Sequence, residues 1–401
     1  MKAQRLSLDI ISTLPPSIIE TILCFLPIEE AARTSVLSRE WRYHWIKIPK
    51  LEFIESTFQV LTYEAELSVP NQSFHKLSQR KVMTDRCKFF YAIYQVLLVH
   101  EGPIREFTLS MIPDNSCVEI DHILRHLSRK NTVKKLKLDL SFGYKLPSYL
   151  FSLSHLTDLH LASCDIDREL TFCGLGNLTS LYVFEVKTST KTILHLLSNS
   201  PLLKTVDLGI AGGTIDCTDN STIVDLFKLL PVVENLSIWC SVVELFIQDM
   251  IPWIPQELPI SLVHLKYLFI DCISFIQRYG LPFLALCVRS SPNLEKLKLE
   301  IFPDTCLEEY EIRYFTLKDY SDMRLEHLKE LEIINLYNRE IELDFVKLIL
   351  ATSPVLNKVS IFLNHELSMD EKLQISEILL HSRHASPMAQ IMIGQLEKSL
   401  A

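Results

Sequence analysis

The chain has 401 residues, 48% of them apolar and only 9 glycine, which excludes a fibrous or disordered composition and leaves ample material for a core shared between repeats. A formal charge of −9 speaks against nucleic acid as the main partner, because phosphate affinity comes from clustered Lys and Arg, and the longest basic stripe is Lys134-Lys135-Leu136-Lys137. The ten cysteines include no Cys-x-x-Cys pair, so no zinc site is expected, the compartment is expected to be reducing, and apolar-flanked Cys24, Cys87, Cys240, Cys272 and Cys287 read as small core hydrophobes.

The first residues, MKAQRLSLDIISTLPP, hold no continuous apolar run before Asp9 and the Pro15-Pro16 break, a poor secretory leader. No window offers the roughly 20 apolar residues of a membrane span. Pro16 suits a first helical position, and Ile18, Ile19, Ile22, Leu23 and Leu26 recur at helical spacing until Pro27 stops the helix. Ile28-Glu29-Glu30 opens a second helix with its carboxylates in the first turn, and Ala31, Ala32, Val36 and Leu37 give it an apolar face. Ser38 can cap a third helix bearing Trp41 and Trp45. Three helices in about 35 residues are too small to fold alone, so their surplus apolar surface implies a covering partner. A polar stretch from Thr62 to Gln79 follows, then a helical run from Cys87 to His100.

From there one template recurs: an apolar residue, two others, an apolar residue, one other, an apolar residue. It reads IREFTL (Ile104 to Leu109), VKKLKL (from Val133), LTDLHL (from Leu156), LTSLYV (from Leu178) and LKTVDL (from Leu203). It continues as VENLSI (from Val233), LKYLFI (from Leu265), LEKLKL (from Leu294), LKELEI (from Leu328) and LNKVSI (Leu356 to Ile361). The start-to-start spacings run 29, 23, 22, 25, 30, 32, 29, 34 and 28 residues, the periodicity of leucine-rich repeats with uneven loops. Each strand turns alternate apolar residues inward, and stacked layers bury a continuous core. Helical segments precede several strands, at Ile120 to Ser128, Thr192 to Pro201 and Leu343 to Pro354, the last two ending on Ser-Pro stops. The expected fold is α/β: a short helical head, then an irregular solenoid with parallel strands on the concave face and helices and loops on the convex face. Between Glu295 and Asp344 there are 14 Asp and Glu against 7 Lys and Arg, which implies a negative patch.

Asp9-Ile10-Ile11, Leu14-Pro15, the Ile18–Leu26 helix, Leu26-Pro27-Ile28, Ala31-Ala32-Arg33, Ser35-Val36-Leu37-Ser38, Trp41-Arg42 and Trp45 together resemble an F-box of the plant type. With the repeats, the whole chain resembles plant F-box/leucine-rich-repeat proteins, and Leu325 to Leu336 followed by Leu343 to Ile361 is similar to the core of an FBD segment. The implied organisation is an F-box over residues 8–50, a linker and helix over 51–100, leucine-rich repeats over 101–320 and an FBD-like segment over 321–395. The resemblance implies a substrate receptor of an SCF-type cullin-RING ubiquitin ligase. In that family the F-box docks onto an acidic Skp adaptor (ASK in plants), which binds cullin, and the repeats present the target. Catalysis belongs to the RING subunit and its conjugating enzyme, so this chain is expected to be no enzyme and to need no cofactor or metal. The positions matching the adaptor-binding pattern are Leu14, Pro15, Ile18, Ile22, Leu26, Pro27, Leu37 and Trp41, whereas Ile19, Val36 and Trp45 are the first expected to serve internal packing instead.

Two other functions stay open: an F-box scaffold or inhibitor acting outside a ligase, and a small-molecule sensor, for which no basic cofactor cluster is visible. His122 and His126, four apart on a helix, read as a solvated helix face, as do His381 and His384. No phosphate loop or nucleophile elbow is present, and Gly212-Gly213 reads as a turn. The target is not identifiable from sequence, although exposed strand positions such as Asp158, His160, Glu295 and Lys298 are the places to look. The expected compartments are the nucleus, the cytoplasm or both.

Overall fold

The computed structural model describes residues 14–39, 41–58, 74–112, 117–140, 143–166, 174–211, 222–247, 255, 257–275, 279–302 and 324–395, with backbone alone over 74–83. Asp9-Ile10-Ile11, most of the Thr62–Gln79 stretch, Gly212-Gly213 and the acidic run within 303–323 lie outside the described residues. The chain divides into two compact units, residues 1–166 with 170–177, and residues 167–169 with 178–401.

The first unit begins with α1 (Pro16–Leu23) and α2 (Ile28–Arg33). Both start on a proline whose carbonyl serves the first turn: Pro15 O accepts from Ile18 N–H at 2.9 Å, and Pro27 O from Ala31 N–H at 2.9 Å. The expected third α-helix is instead a series of 3₁₀ turns at Thr34–Val36, Trp41–Tyr43 and Trp45–Lys47. Ser38 does cap, accepting from Trp41 N–H at 3.2 Å. The run Trp41-Arg42-Tyr43-His44-Trp45 is rich in rings with poor helix propensity, and Pro49 closes it, so no full α-turn propagates.

The sheet of this unit opens earlier than the repeat pattern indicates. β1 (Lys50–Ile54) pairs in parallel with β2 (Glu106–Ser110), which pairs with β3 (Lys135–Asp139), and β3 with β4 (Asp158–Ala162). Residues 50–54 are thus the first layer rather than part of a linker. The segment IPKLEF (Ile48 to Phe53) carries the same template, with Ile48, Leu51 and Phe53 all buried. Between β1 and β2 runs α3 (Phe74–Val99), which contains the helical run expected from Cys87, and between β2 and β3 runs α4 (Val118–Lys130). Such crossovers are what parallel strands require. The helical head joins this sheet through backbone bonds: Glu101 N–H donates to Ile46 O at 3.0 Å, and Arg105 and Glu106 N–H both donate to Pro49 O. Gly102 lies so close to Lys47 that a Cβ would sit 2.7 Å from the Lys47 carbonyl oxygen.

The second unit repeats the plan: β5 (Ser180–Val186), α5 (Thr190–Ser198), β6 (Thr205–Ile210), α6 (Ile223–Lys228), β7 (Asn235–Ile238), α7 (Cys240–Ile247), β8 (Tyr267–Ile273), α8 (Gly280–Arg289) and β9 (Lys296–Ile301). It ends with β10 (Glu330–Leu336), α9 (Glu340–Thr352), β11 (Lys358–Leu363), α10 (Met369–Leu380) and β12 (Gln390–Gly394). Strands β5 to β12 pair in parallel in sequence order. β12 is a second unanticipated layer, although MAQIMI (Met388 to Ile393) also fits the template. A backbone rung recurs between layers just before each strand: Lys204 to Thr179, Glu234 to Lys204, Lys266 to Glu234, Glu295 to Lys266, Lys329 to Glu295 and Asn357 to Lys329, each 2.8 Å. Bulges at Glu185, Cys272 and Asn335 take φ of 49, 51 and 61°, and the next residues, Val186, Ile273 and Leu336, then point inward and are buried. Cys287 is buried as expected, whereas Cys87 is exposed on the outer face of α3.

The segment β10–α9–β11 holds one fully buried charge. The Glu342 carboxylate accepts from the Tyr337 backbone N–H at 2.8 Å and pairs with the Arg339 guanidinium, which also stacks on Tyr337 at 4.8 Å. Removing it leaves Arg339 and an N–H without their acceptor, so Glu342→Ala is expected to cost about 2–4 kcal/mol in urea unfolding. Gly102→Ala, which forces the head off the segment leading into β2, is expected to cost about 1–3 kcal/mol by the same measurement.

Candidate functional site

The apolar residues of α1 divide between two sides of the helix. Ile19 and Leu23 are 2% and 0% exposed and pack inward with Ile28 and Ala31, whereas Ile18, Ile22 and Leu26 are each 40% exposed or more. Phe25 continues the outer stripe and is 84% exposed. Its spacing from Ile18 and Ile22, i, i+4 and i+7, is the signal by which the sequence could have placed it there. In the turns beyond α2, Val36 and Leu37 are 85% and 69% exposed. Pro15 and Pro27 are also exposed, and Leu14 is half-buried.

Among the positions matching the adaptor pattern, Leu14, Pro15, Ile18, Ile22, Leu26, Pro27 and Leu37 therefore retain open surface. Trp41 does not. At 5% exposure its ring lies within the turns, with the His44 ring edge-on at 6.2 Å, and it serves internal packing. The reading of the internal class also changes: Ile19 is inside, Trp45 is half-buried, and Val36 is on the outside. Arg39, Arg42 and Lys47 are exposed on the same turns, while Arg33 is held by Glu30. A bare apolar stripe with basic residues beside it can take an acidic surface that brings its own apolar pocket.

The strand positions singled out on the repeats are engaged within the fold. Lys298 pairs with Glu332 at 3.1 Å and lies over the Phe269 ring, and Glu295 accepts from Lys329 at 2.7 Å. Asp158 accepts from the Thr157 hydroxyl. Burial, aided by the Lys137 charge, pushes the His160 imidazole down to about 4, so it stays neutral at physiological pH. The described part of the acidic run is likewise laddered, with Lys296 on Glu330 at 3.1 Å beside the Lys298–Glu332 pair. His381 and His384 meet the Glu377 and Leu379 carbonyls at the end of α10, and among the described residues no cluster of His, Cys, Asp and Glu is arranged to hold a metal ion.

If Ile18 is on the outside and Ile19 inside, their truncations must separate. Ile19→Ala is expected to lose about 2–4 kcal/mol in urea unfolding and Ile18→Ala less than about 0.5 kcal/mol.

The chain matches the F-box domain family model over residues 11–52 and the FBD model over residues 324–361. The first match ends inside β1, and the second spans β10, α9 and most of β11. An Arabidopsis thaliana F-box/FBD/LRR-repeat protein is 31% identical over 96% of this chain and 99% of its own length. A putative FBD-associated F-box protein of the same plant is 23% identical with the same coverage. An Arabidopsis F-box/LRR-repeat protein is 44% identical over a shorter span, 39% of this chain and 36% of its own.

Proposed function

From the premise that this chain belongs to the F-box/FBD/LRR-repeat protein family, we propose that it is the substrate-receptor subunit of an SCF-type cullin-RING ubiquitin ligase. The F-box docks onto a Skp (ASK) adaptor and through it meets the cullin and RING subunits. The repeats hold a target protein for ubiquitination. Proteins of this family are generally non-catalytic adaptors, and here too the chain positions while the RING subunit and its conjugating enzyme carry the chemistry. Such a receptor works in the nucleus, the cytoplasm or both.

The observation that carries this reading is the outward stripe of Ile18, Ile22, Phe25, Leu26 and Leu37 on an F-box whose own core is already filled by Ile19, Leu23, Ile28, Ala31 and Trp41. Burying one such side chain is worth about 1.5–3 kcal/mol, so a few of them suffice for stable docking. Exposed Arg39, Arg42 and Lys47 favour the acidic adaptor.

The test is co-purification with a Skp adaptor and cullin. Ile18→Glu combined with Ile22→Glu alters only open surface, so the fold is expected to survive while adaptor recovery falls at least tenfold, and Leu14→Ala with Pro15→Ala is expected to act likewise. Undiminished recovery by the folded double variants rejects the docking face. Recovery of adaptor without cullin rejects the ligase in favour of a scaffold.

A further inference from the structure

Strands β5 to β9 of the second unit turn their alternate residues to the open side of the sheet, and on this side the sequence places rings and carboxylates together. Phe184 of β5 and Trp239, which follows β7, meet edge to face at 4.7 Å between centroids, and Tyr182 stacks on Phe184 at 6.2 Å. They close over β6 because the intervening residue is Gly209; a Cβ there would come within 3.1 Å of the indole and 3.4 Å of the Phe184 ring. The Trp239 indole N–H donates to the Asp207 carboxylate at 2.9 Å, which ties the rings to the charge.

Next to Trp239 in the same row come Asp271 of β8, which is buried, and Glu300 of β9, which is half-buried. Their side chains are hydrogen-bonded to each other. Burial raises the pKa of Asp207, Asp271 and Glu300 alike, because each carboxyl is desolvated, and among the described residues no cation acts on Asp207. Lys298, the cation acting on Asp271 and Glu300, is taken by Glu332 at 3.1 Å and lies over Phe269. Among the described residues, none of the three carboxylates forms an ion pair. The sheet thus presents aromatic faces beside the half-buried carboxyl groups of Asp207 and Glu300, neither in an ion pair, and both ask for the same chemistry.

We infer that this face receives an arginine-bearing segment of the target protein, with the guanidinium stacked on the Phe184–Trp239 pair and held by Asp207 and Glu300. A planar guanidinium fits both requirements, since it stacks on rings and pairs with carboxylates through a rigid fork, whereas an ammonium meets only the charge. The inference rests on the receptor reading for its biological meaning but not for its test, which needs no adaptor.

Fluorescence anisotropy of the full chain with fluorescein-labelled nona-arginine and nona-lysine separates recognition from net charge. The arginine peptide is expected to bind at least about fivefold tighter than the lysine peptide. Trp239→Ala is expected to weaken arginine-peptide binding by about tenfold or more, and so is the near-isosteric pair Asp207→Asn and Glu300→Gln, which guards against a folding defect. Glu377→Gln, on the exposed side of α10, is expected to change nothing, as is the Ile18→Glu and Ile22→Glu variant, so loss of adaptor docking and loss of this face are read apart. Equal affinity for the two peptides, no binding of the arginine peptide, or equal effects of Asp207→Asn/Glu300→Gln and Glu377→Gln overturns the inference.

Discussion

One strand of this chain cannot hide its own leucines. β3, with Leu136 and Leu138 turned one way and lysines the other, gains a closed core only when β2 and β4 lie alongside and bring their own inward pairs. Parallel pairing is therefore the constraint on which the rest depends. It fixes the direction of every strand, demands a connection across the back of the sheet between each two, and keeps the recurring rung before each strand in step with the layer before it.

The same constraint explains how the F-box is carried. A helical head this small would be marginal alone. Its last residues, however, run straight into the first layer: Ile46 and Pro49 lend their carbonyls to the chain that leads into β2, and Ile48, Leu51 and Phe53 are already part of the core. The head is thereby ordered from its inner side, and its outer side is left free. Ile18, Ile22, Phe25 and Leu37 can remain open to water without unfolding the head because the residues that hold it together are others.

At the far end, the β10–α9–β11 segment keeps the repeat plan but adds a buried ion pair. Glu342 is reached by the Tyr337 amide and by Arg339, so the turn between β10 and α9 is specified by a fully buried carboxylate, where α5, α6 and α10 are capped by Ser or Thr hydroxyls. A match to a separate family model over these residues is physically reasonable, since such a pair tolerates few substitutions.

Much of this was legible in the residues. All ten hits to the repeat template became strands, because alternation along an extended chain decides which side chains face inward whatever surrounds them. The two layers missed at the ends, β1 and β12, carry the template too, but the first is interrupted by Pro49 and the second is built on methionine and isoleucine in place of leucine. The helical head was legible to its caps, and the length of its third element was not, since the apolar spacing of Trp41 and Trp45 suggested a helix that their ring-rich run and Pro49 do not sustain.

What the sequence by itself determined is therefore the layer plan and the presence of an F-box ahead of it. Only the tertiary structure decided which residues those layers leave in view. Ile18 and Ile19 are the same amino acid one step apart, and their opposite fates depend on which side of α1 meets α2 and the turns. Trp41 moved from the outside to the inside for the same reason. The Phe184–Trp239–Asp207 cluster joins residues from three successive layers that have no common sequence pattern. It exists because stacking places one strand's side chain over its neighbour's glycine, a relation between layers that no single segment encodes.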